Sequence, residues 1–345
     1  MKKSSNTYRF LPYIPEPKRT NEWIHEINHL VYLHNQDNIS RTMAYQKFFL
    51  LHPEIKWSFL ASMVSRNAGW NMTDLKGDIF PRLLHPATRD ALFMTYERAN
   101  WSIFQDAFPQ LLLYHYSTRY KKKMFHLSKE FHISSFMEEE WNRYWEERDD
   151  HRLVHSLIIN EQHLIQEPVI DHEVYKKRVF GSSLFFIEDH LHFSSVLFPT
   201  LEGELLGASV HGFRKIENRI QLGNRLFKIL FQPDYHSSFL NFALQVEHSG
   251  SRKDYEQFCK SAPKTNTPML HQAYVYIPHH WRTHMDWSIQ KDIDKEWYQE
   301  LKLPDKIELS QWYFRKQRQL EKVANIKGVF TKIGKWRGKK KRPTL

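Results

Sequence analysis

A glutamate lies between two histidines near the start of the chain, at His25, Glu26 and His29. In this HExxH pattern the two histidines, one helical turn apart, bind zinc, and the glutamate activates the bound water. Helical spacing, however, puts His25 and His29 opposite the apolar Trp23 and Ile27, and only 24 residues precede the motif. The pattern therefore favours a solvated helix face. We predict no metal and no cofactor, and keep these three residues only as candidate ligands.

A run of polar side chains interrupts a well-patterned apolar helix between Ser65 and Gly77. This composition is typical of a polar pocket. It is also typical of a hydrogen-bonded turn, in which Gly69 ends one helix and Asn71 or Thr73 caps the next. The sequence leaves these two interpretations open. The pocket candidates in this stretch are Arg66, Asn67, Asn71 and Asp74.

A second polar interruption follows an apolar helix at residues 160–163 and supplies two more pocket candidates, Glu161 and His163. A glutamate or histidine buried in a hydrophobic helix needs a hydrogen-bond or charge partner. We therefore hypothesise that a buried polar network joins this segment to Arg66 and Asn67. Such a pocket supports an alternative function, an enzyme of hydrolytic type with or without a metal.

The C-terminal segment, residues 327–345, contains eight basic side chains and no acidic one. In helical projection its apolar residues share one arc, which is the layout of an interfacial helix on anionic lipid. The same charge would also suit nucleic-acid phosphates, or a mobile tail that only keeps the protein in solution. We predict contact with a membrane lipid surface or with nucleic acid, through Phe330, Lys332, Lys335, Trp336, Arg337, Lys339, Lys340, Lys341 and Arg342.

The excess of basic over acidic residues lies at the two ends of the chain. The formal net charge is +11, of which residues 327–345 carry +8 and residues 1–20 carry +4, so the rest is close to neutral. A neutral body argues against a nucleic-acid-binding domain surface. The single cysteine, Cys259, excludes an internal disulfide, and the N-terminus does not read as a signal peptide. We predict a cytoplasmic protein, with peripheral contact at the inner membrane face as the further expectation.

The elements that carry these residues are predicted to be almost all helices. Glycine is scarce, at 11 of 345 residues, and the apolar residues recur at helical spacing, whereas alternation typical of strands is rare. We predict an all-α globular protein with at most short strands around 183–196. Two helices start near Ser40 and Pro53; the others lie at 20–34, 86–106, 109–126 (opened by Pro109), 135–148, 150–165, 214–230, 235–247, 252–260, 289–302 and 305–325.

The domain organisation follows from proline and charge. Prolines in the first twenty residues predict a mobile arm over 1–19, and the basic amphipathic tail occupies 327–345. Between them, 20–326 forms one helical unit or two packed lobes, 20–165 and 184–326, because a Pro- and Gly-containing stretch interrupts the helices between them.

Four segments of the chain carry a family resemblance: Ser62 to Asp78, Trp101 to Tyr114, Ser156 to His163, and Val210 to Phe227. Together they resemble the YppC-like proteins of Bacillus and relatives, a family of unknown function. The resemblance covers about Trp23 to about Asp286, and it implies no activity, cofactor or catalytic residue. From the residues themselves we predict a non-enzymatic binding or adaptor protein whose basic tail contacts an anionic surface.

Overall fold

The computed structural model describes residues 11, 19–173, 195–209, 212–260, 263–280, 286–289, 293–299, 302–303 and 306–339. In the last range the backbone is described to residue 339 and the side chains to residue 327. The chain is mostly α-helical, as predicted. Its longer helices are α1 (Thr20–His34), α2 (Asn38–Leu51), α3 (Lys56–Asp74), α5 (Pro86–Tyr120), α6 (Ser135–Glu147), α7 (Asp150–Leu164), α8 (Ile216–Leu230), α9 (His236–Gln245) and α12 (Ser310–Lys339).

Shorter elements fill the connections between these helices. They are the single-turn helices α4 (Phe80–Leu83), α10 (Lys253–Glu256) and α11 (Leu270–Ala273), the 3-10 turns Phe125–Phe131, Trp287–Ile289 and Lys295–Tyr298, and a π-turn at Gln166–Ile170. The helix predicted at 252–260 is therefore much shorter than expected. Of the helix predicted at 289–302, the described residues 293–299 contain only the 3-10 turn Lys295–Tyr298, and 290–292 and 300–301 lie outside the described residues.

A small antiparallel hairpin is the sheet of the described residues. Strand β1 (Ser195–Pro199) pairs with β2 (Leu205–Ser209), and Leu197 faces Gly207 across the ladder. The segment before α12 extends the hairpin, because the Gly207 amide donates to the Ile307 carbonyl at 3.0 Å and the Leu309 amide to the Leu205 carbonyl at 2.8 Å. Short strands were predicted around 183–196; β1 begins at the end of that range, β2 lies beyond it, and 183–194 lie outside the described residues.

Capping explains where several helices begin. The Asp37 carboxylate accepts a hydrogen bond from the Ser40 amide, and the Ser40 hydroxyl oxygen accepts one from the Asp37 amide. This capping box starts α2 at Asn38, two residues before Ser40. Ser134 accepts from the Met137 amide and starts α6. Pro53 lies in the turn before α3, which begins three residues later than predicted.

Helix α5 runs without a break through Pro109, where we predicted two helices. A proline inside a helix costs about 3 kcal/mol, because it removes one hydrogen bond and crowds the preceding turn. The residues on both sides of Pro109 are buried, including Phe104, Phe108 and Leu112. Burial of these side chains outweighs the cost, which a local sequence rule cannot anticipate.

Helix α3 lies at the centre of the fold. Every residue from Trp57 to Asp74 is buried except Val64, and α3 contacts α2, α5 and α7 as well as β1. The core is continuous across the two predicted lobes, since Phe59 of α3 packs on Phe231, with ring centroids 6.1 Å apart. The predicted arm over 1–19 lies outside the described residues except for Leu11 and Arg19.

Candidate functional site

The polar stretch of α3 is part of one unbroken helix, so the turn interpretation is wrong. Gly69 does not end a helix; it lies in the middle of α3. A methyl group at this position would clash with Asn38 Oδ1 and lie 2.9 Å from His248 Nε2. The glycine is therefore required by the close approach of two polar side chains, and not by a turn.

A buried arginine organises the end of α3. Arg252 donates from Nε to Asp74 Oδ2, from Nη1 to the hydroxyls of Tyr255 and Tyr313, and from Nη2 to Asn71 Oδ1 at 3.3 Å. We call these five residues the Arg252 cluster. The Arg252 and Asp74 side chains are only 4% and 6% exposed. The cluster thus joins α3, α10 and α12 through one desolvated ion pair.

In the Arg252 cluster, burial and the ion pair shift the pKa of the Asp74 carboxyl in opposite directions. Burial raises the pKa of the Asp74 carboxyl to about 6, while the Arg252 guanidinium acts in the opposite direction. The pair is therefore still ionised at neutral pH. Losing either partner would leave the other charge buried without compensation, which is far more costly than losing an exposed ion pair.

A second polar cluster lies one to two turns earlier on α3. Trp70 Nε1 donates to Asp254 Oδ2 at 3.0 Å, and the same carboxylate lies 3.4 Å from His248 Nδ1. His248 Nε2 is 2.9 Å from Asn38 Oδ1, and Asn38 donates to the Ser65 carbonyl at 2.8 Å. Burial lowers the pKa of His248 to about 4, so the ring is neutral at physiological pH.

Arg66 and Asn67 bind backbone groups rather than each other. Arg66 Nη2 donates to the Val246 carbonyl at 2.9 Å, and its guanidinium lies 5.5 Å from the Phe242 ring centroid. The Asn67 amide donates to the Leu197 carbonyl and accepts from the Leu197 amide at 2.9 Å, so it pairs with β1 as a neighbouring strand would. Both side chains fasten distant segments to α3.

Glu161 and His163 lie apart from the other pocket candidates. The Glu161 carboxyl lies beside Trp57, at the opposite end of α3 from Asp74, and burial raises its pKa to about 7. His163 stacks on Trp287, with ring centroids 4.0 Å apart. The hydrogen bonds of the described residues do not join this segment to Arg66 and Asn67, so the hypothesised network is not formed.

The partner of this segment is instead a buried aspartate on α5. Asn160 Nδ2 donates to Asp106 Oδ2 at 2.7 Å, and Gln110 Nε2 donates to the same oxygen at 2.7 Å. Ser134 and Trp287 donate to Asn160 Oδ1, each at 2.9 Å. Burial raises the pKa of the Asp106 carboxyl to about 7.

Asp106 is expected to make the protein less stable as the pH rises. Folding raises the pKa of this carboxyl. Between about pH 4 and about pH 7 it therefore stays protonated in the folded state, whereas in the unfolded state it is ionised. Stability therefore falls through this range, by up to about 1.4 kcal/mol per pH unit. In Asp106→Asn the contribution is absent, so the variant should gain stability relative to wild type as pH rises. Urea unfolding across the range checks this; parallel pH profiles would contradict it.

The HExxH residues lie on the surface of α1. The side chains of His25 and His29 are exposed, and Glu26 is half-buried. Among the residues with described side chains, no three His, Cys, Asp or Glu lie close enough together to hold a metal ion. Trp23, on the opposite side of α1, packs on Tyr116 with ring centroids 4.7 Å apart. The α1 motif thus follows the amphipathic pattern of a surface helix.

Helix α12 has two parts, a docked part up to Lys327 and an extended part from 328 to 339. In the docked part Tyr313, Leu320 and Ala324 are buried, and Lys327 Nζ donates to the Leu83 carbonyl at 2.9 Å. The helix, predicted to end near 325, continues to Lys339, so the backbone of the predicted tail is helical to that point. Within the described ranges no helix is long and apolar enough to cross a bilayer.

Most residues of the Arg252 cluster could not be predicted from the sequence, because they come from distant segments. Arg252 lies 178 positions from Asp74, and Tyr313 lies 61 positions from Arg252. The usable signal was local: a helix that keeps its apolar spacing while gaining Arg, Asn and Asp must find buried partners somewhere.

Comparison with known proteins agrees with the resemblance carried by the four segments. A family model described as "Protein of unknown function (DUF2515)" matches residues 33–313. The "Uncharacterized protein YppC" of Bacillus subtilis (strain 168) is 47% identical over 308 residues, which cover 89% of this chain and 96% of that protein. No solved structure matches. The chain therefore belongs to the DUF2515 family, a family of unknown function.

Proposed function

We propose that this protein is a non-enzymatic adaptor that works in the cytoplasm and binds the anionic inner face of a membrane through the extended part of α12. The observation that carries the proposal is a helix that is held by the body up to about Lys327 and then continues to Lys339 as a basic segment. About 18 Å of helix extends past the last described anchor.

The exposed apolar side chains of α12 favour a membrane over nucleic acid. Val323 is 41% exposed and Ile326 is 58% exposed, so the helix presents two apolar side chains to solvent in the turn that follows the buried Leu320. Helical spacing places positions 330 and 333, a phenylalanine and an isoleucine, on the same side. Phosphate recognition needs basic groups but no apolar stripe, whereas insertion at a bilayer interface needs both.

The basic residues supply the electrostatic part of the binding. Positions 332, 335 and 339 fall on the opposite side of the helix from the apolar stripe, and Lys340, Lys341 and Arg342 follow. Each basic residue near an anionic bilayer contributes about 1 kcal/mol, and the contribution decreases with salt. Because the body is close to neutral, most of this attraction comes from residues 327–345, which carry +8 of the net charge of +11.

The experiment is vesicle co-sedimentation of the full-length protein. We expect binding to phosphatidylcholine vesicles that contain phosphatidylglycerol, and none to phosphatidylcholine alone. Replacing Lys339, Lys340, Lys341 and Arg342 by Gln should weaken binding by about a thousandfold at low salt, since four contributions of about 1 kcal/mol are lost.

The matched control replaces four exposed lysines of the body by Gln. They are Lys121, Lys122, Lys123 and Lys129. It should bind vesicles within a few fold of wild type. Equal losses in the two variants would contradict the proposal, as would binding to single-stranded RNA with no binding to either vesicle.

A further inference from the structure

The docked part of α12 presents a basic surface on the side away from the body. Arg315, Arg318 and Lys322 are exposed. At 3.6 residues per turn their side chains fall within an arc of about 60°, which is centred opposite the buried Tyr313 and Leu320. Packing of these two residues against the body therefore holds the three basic side chains outward. We call Arg315, Arg318 and Lys322 the outer basic face.

The charges of the outer basic face are not neutralised by the described residues. Within the part of the chain that the structure describes, none of the three side chains forms an ion pair or a hydrogen bond. Glu321 projects about a quarter turn away and lines a cavity beside the helix together with Asp78. Arg82 and Lys264 line the same cavity and balance these two acids. Glu308 accepts a hydrogen bond from the first backbone amide of the helix at 2.7 Å. An excess of positive charge therefore faces solvent.

The outer basic face continues into apolar residues along the helix. Ile326, which is 58% exposed, lies one turn after Lys322 on the same side. Helical spacing places positions 329 and 336, a valine and a tryptophan, on this side of the extended part. Because α12 is one unbroken helix of 30 residues, about 45 Å long, its outward side combines basic groups with apolar ones. This is the composition of a helix that lies in the plane of a bilayer interface.

We propose that the outer basic face binds the phosphate groups of anionic lipids, so that α12 lies flat on the membrane over its whole length. The inference rests on the proposed function, in which only the extended part of α12 contacts the membrane. A guanidinium group holds a phosphate through two parallel hydrogen bonds, and the outer basic face offers two such groups and one ammonium. Because the docked part is fixed to the body by packing, the body then has one orientation, with α12 between it and the bilayer.

The first test measures whether the docked part of α12 contacts the membrane. An environment-sensitive NBD label is attached to Gln311→Cys in the docked part or to Val329→Cys in the extended part of the full-length protein. These positions are 18 residues apart, which is five full turns, so both labels project from the same side of the helix. Cys259 is buried, and the protein without an added cysteine is the blank. With phosphatidylglycerol-containing vesicles, the emission of both labels should shift to the blue.

The outcomes of the labelling separate this inference from the proposed function. A label on Lys129→Cys, an exposed position of the body, is the control and should not shift. A shift at Val329→Cys with none at Gln311→Cys would overturn the inference and leave the proposed function standing, because only the extended part would then contact the bilayer. No shift at either position would overturn both.

The second test removes the charge of the outer basic face in the triple variant Arg315→Gln/Arg318→Gln/Lys322→Gln. Its binding to phosphatidylglycerol-containing vesicles at low salt should be about a hundredfold weaker than that of wild type. Thermal unfolding should be unchanged, because the three side chains are exposed and make no contact that stabilises the fold.

The matched control is Lys121→Gln/Lys122→Gln/Lys123→Gln. These lysines follow the last residue of α5, at the opposite end of that helix from α4, which α12 contacts. The control should bind vesicles within a few fold of wild type. Equal vesicle binding by wild type and by the outer basic face variant would overturn the inference, as would a loss of single-stranded RNA binding without a loss of vesicle binding.

Discussion

Arg252→Met is expected to destabilise the protein by about 3–5 kcal/mol, because it leaves the buried Asp74 carboxylate without its charge partner. The same change removes the donor shared by the Tyr255 and Tyr313 hydroxyls, and so loosens the contact between α10 and α12. Urea unfolding at neutral pH measures the loss. A shift this large is a substantial part of the stability of an ordinary domain.

The matched control is Arg315→Met, an exposed arginine on α12, which should change stability by less than about 0.5 kcal/mol. The double variant Asp74→Asn/Arg252→Met should recover part of the loss, since neither charge then remains buried alone. A double variant that is as unstable as the sum of both single variants would show that the two charges do not act as a pair.

Several helices could be predicted because their signals are local. The apolar spacing of Trp23, Ile27 and Leu30 predicts α1 with the bounds that are observed, and α6 begins at Ser135, as predicted. These signals lie within a few residues of the feature they control. They need no knowledge of the rest of the fold.

Two helix boundaries were predicted where the structure has none, at Gly69 and at Pro109. In both cases a distant contact outweighs the local preference. Gly69 reads as a helix stop, yet its missing Cβ makes room for Asn38 and His248. Pro109 reads as a helix start, yet α5 continues through it, since Phe108 and Leu112 on both sides are buried. In each case tertiary packing gives the residue a role that local rules assign differently.

Only the α3 residues of the candidate site could be predicted from the sequence. The polar residues of α3 stand out in the sequence, and Asn71 and Asp74 do meet in one cluster. Their main partner, Arg252, has no local pattern that marks it as buried. Glu161 lies beside Trp57 instead, because α7 crosses the other end of α3, and no sequence spacing encodes that crossing.

Vesicle binding by Phe330→Ser/Ile333→Ser, which keeps every basic residue of α12, tests whether this helix inserts apolar side chains into a membrane. We propose that these positions continue the exposed stripe of Val323 and Ile326. Loss of two apolar insertions, each of about 1.5–3 kcal/mol, should weaken binding to phosphatidylglycerol-containing vesicles by at least about a hundredfold. Thr331→Ser, between the two positions, is the control and should bind like wild type.

The salt dependence separates the two parts of the interaction. With all charges retained, the residual vesicle binding of Phe330→Ser/Ile333→Ser should fall with salt as steeply as that of wild type, because the electrostatic part is unchanged. That result, together with the hundredfold loss, is the one predicted for an interfacial helix. Undiminished vesicle binding by this variant would contradict it.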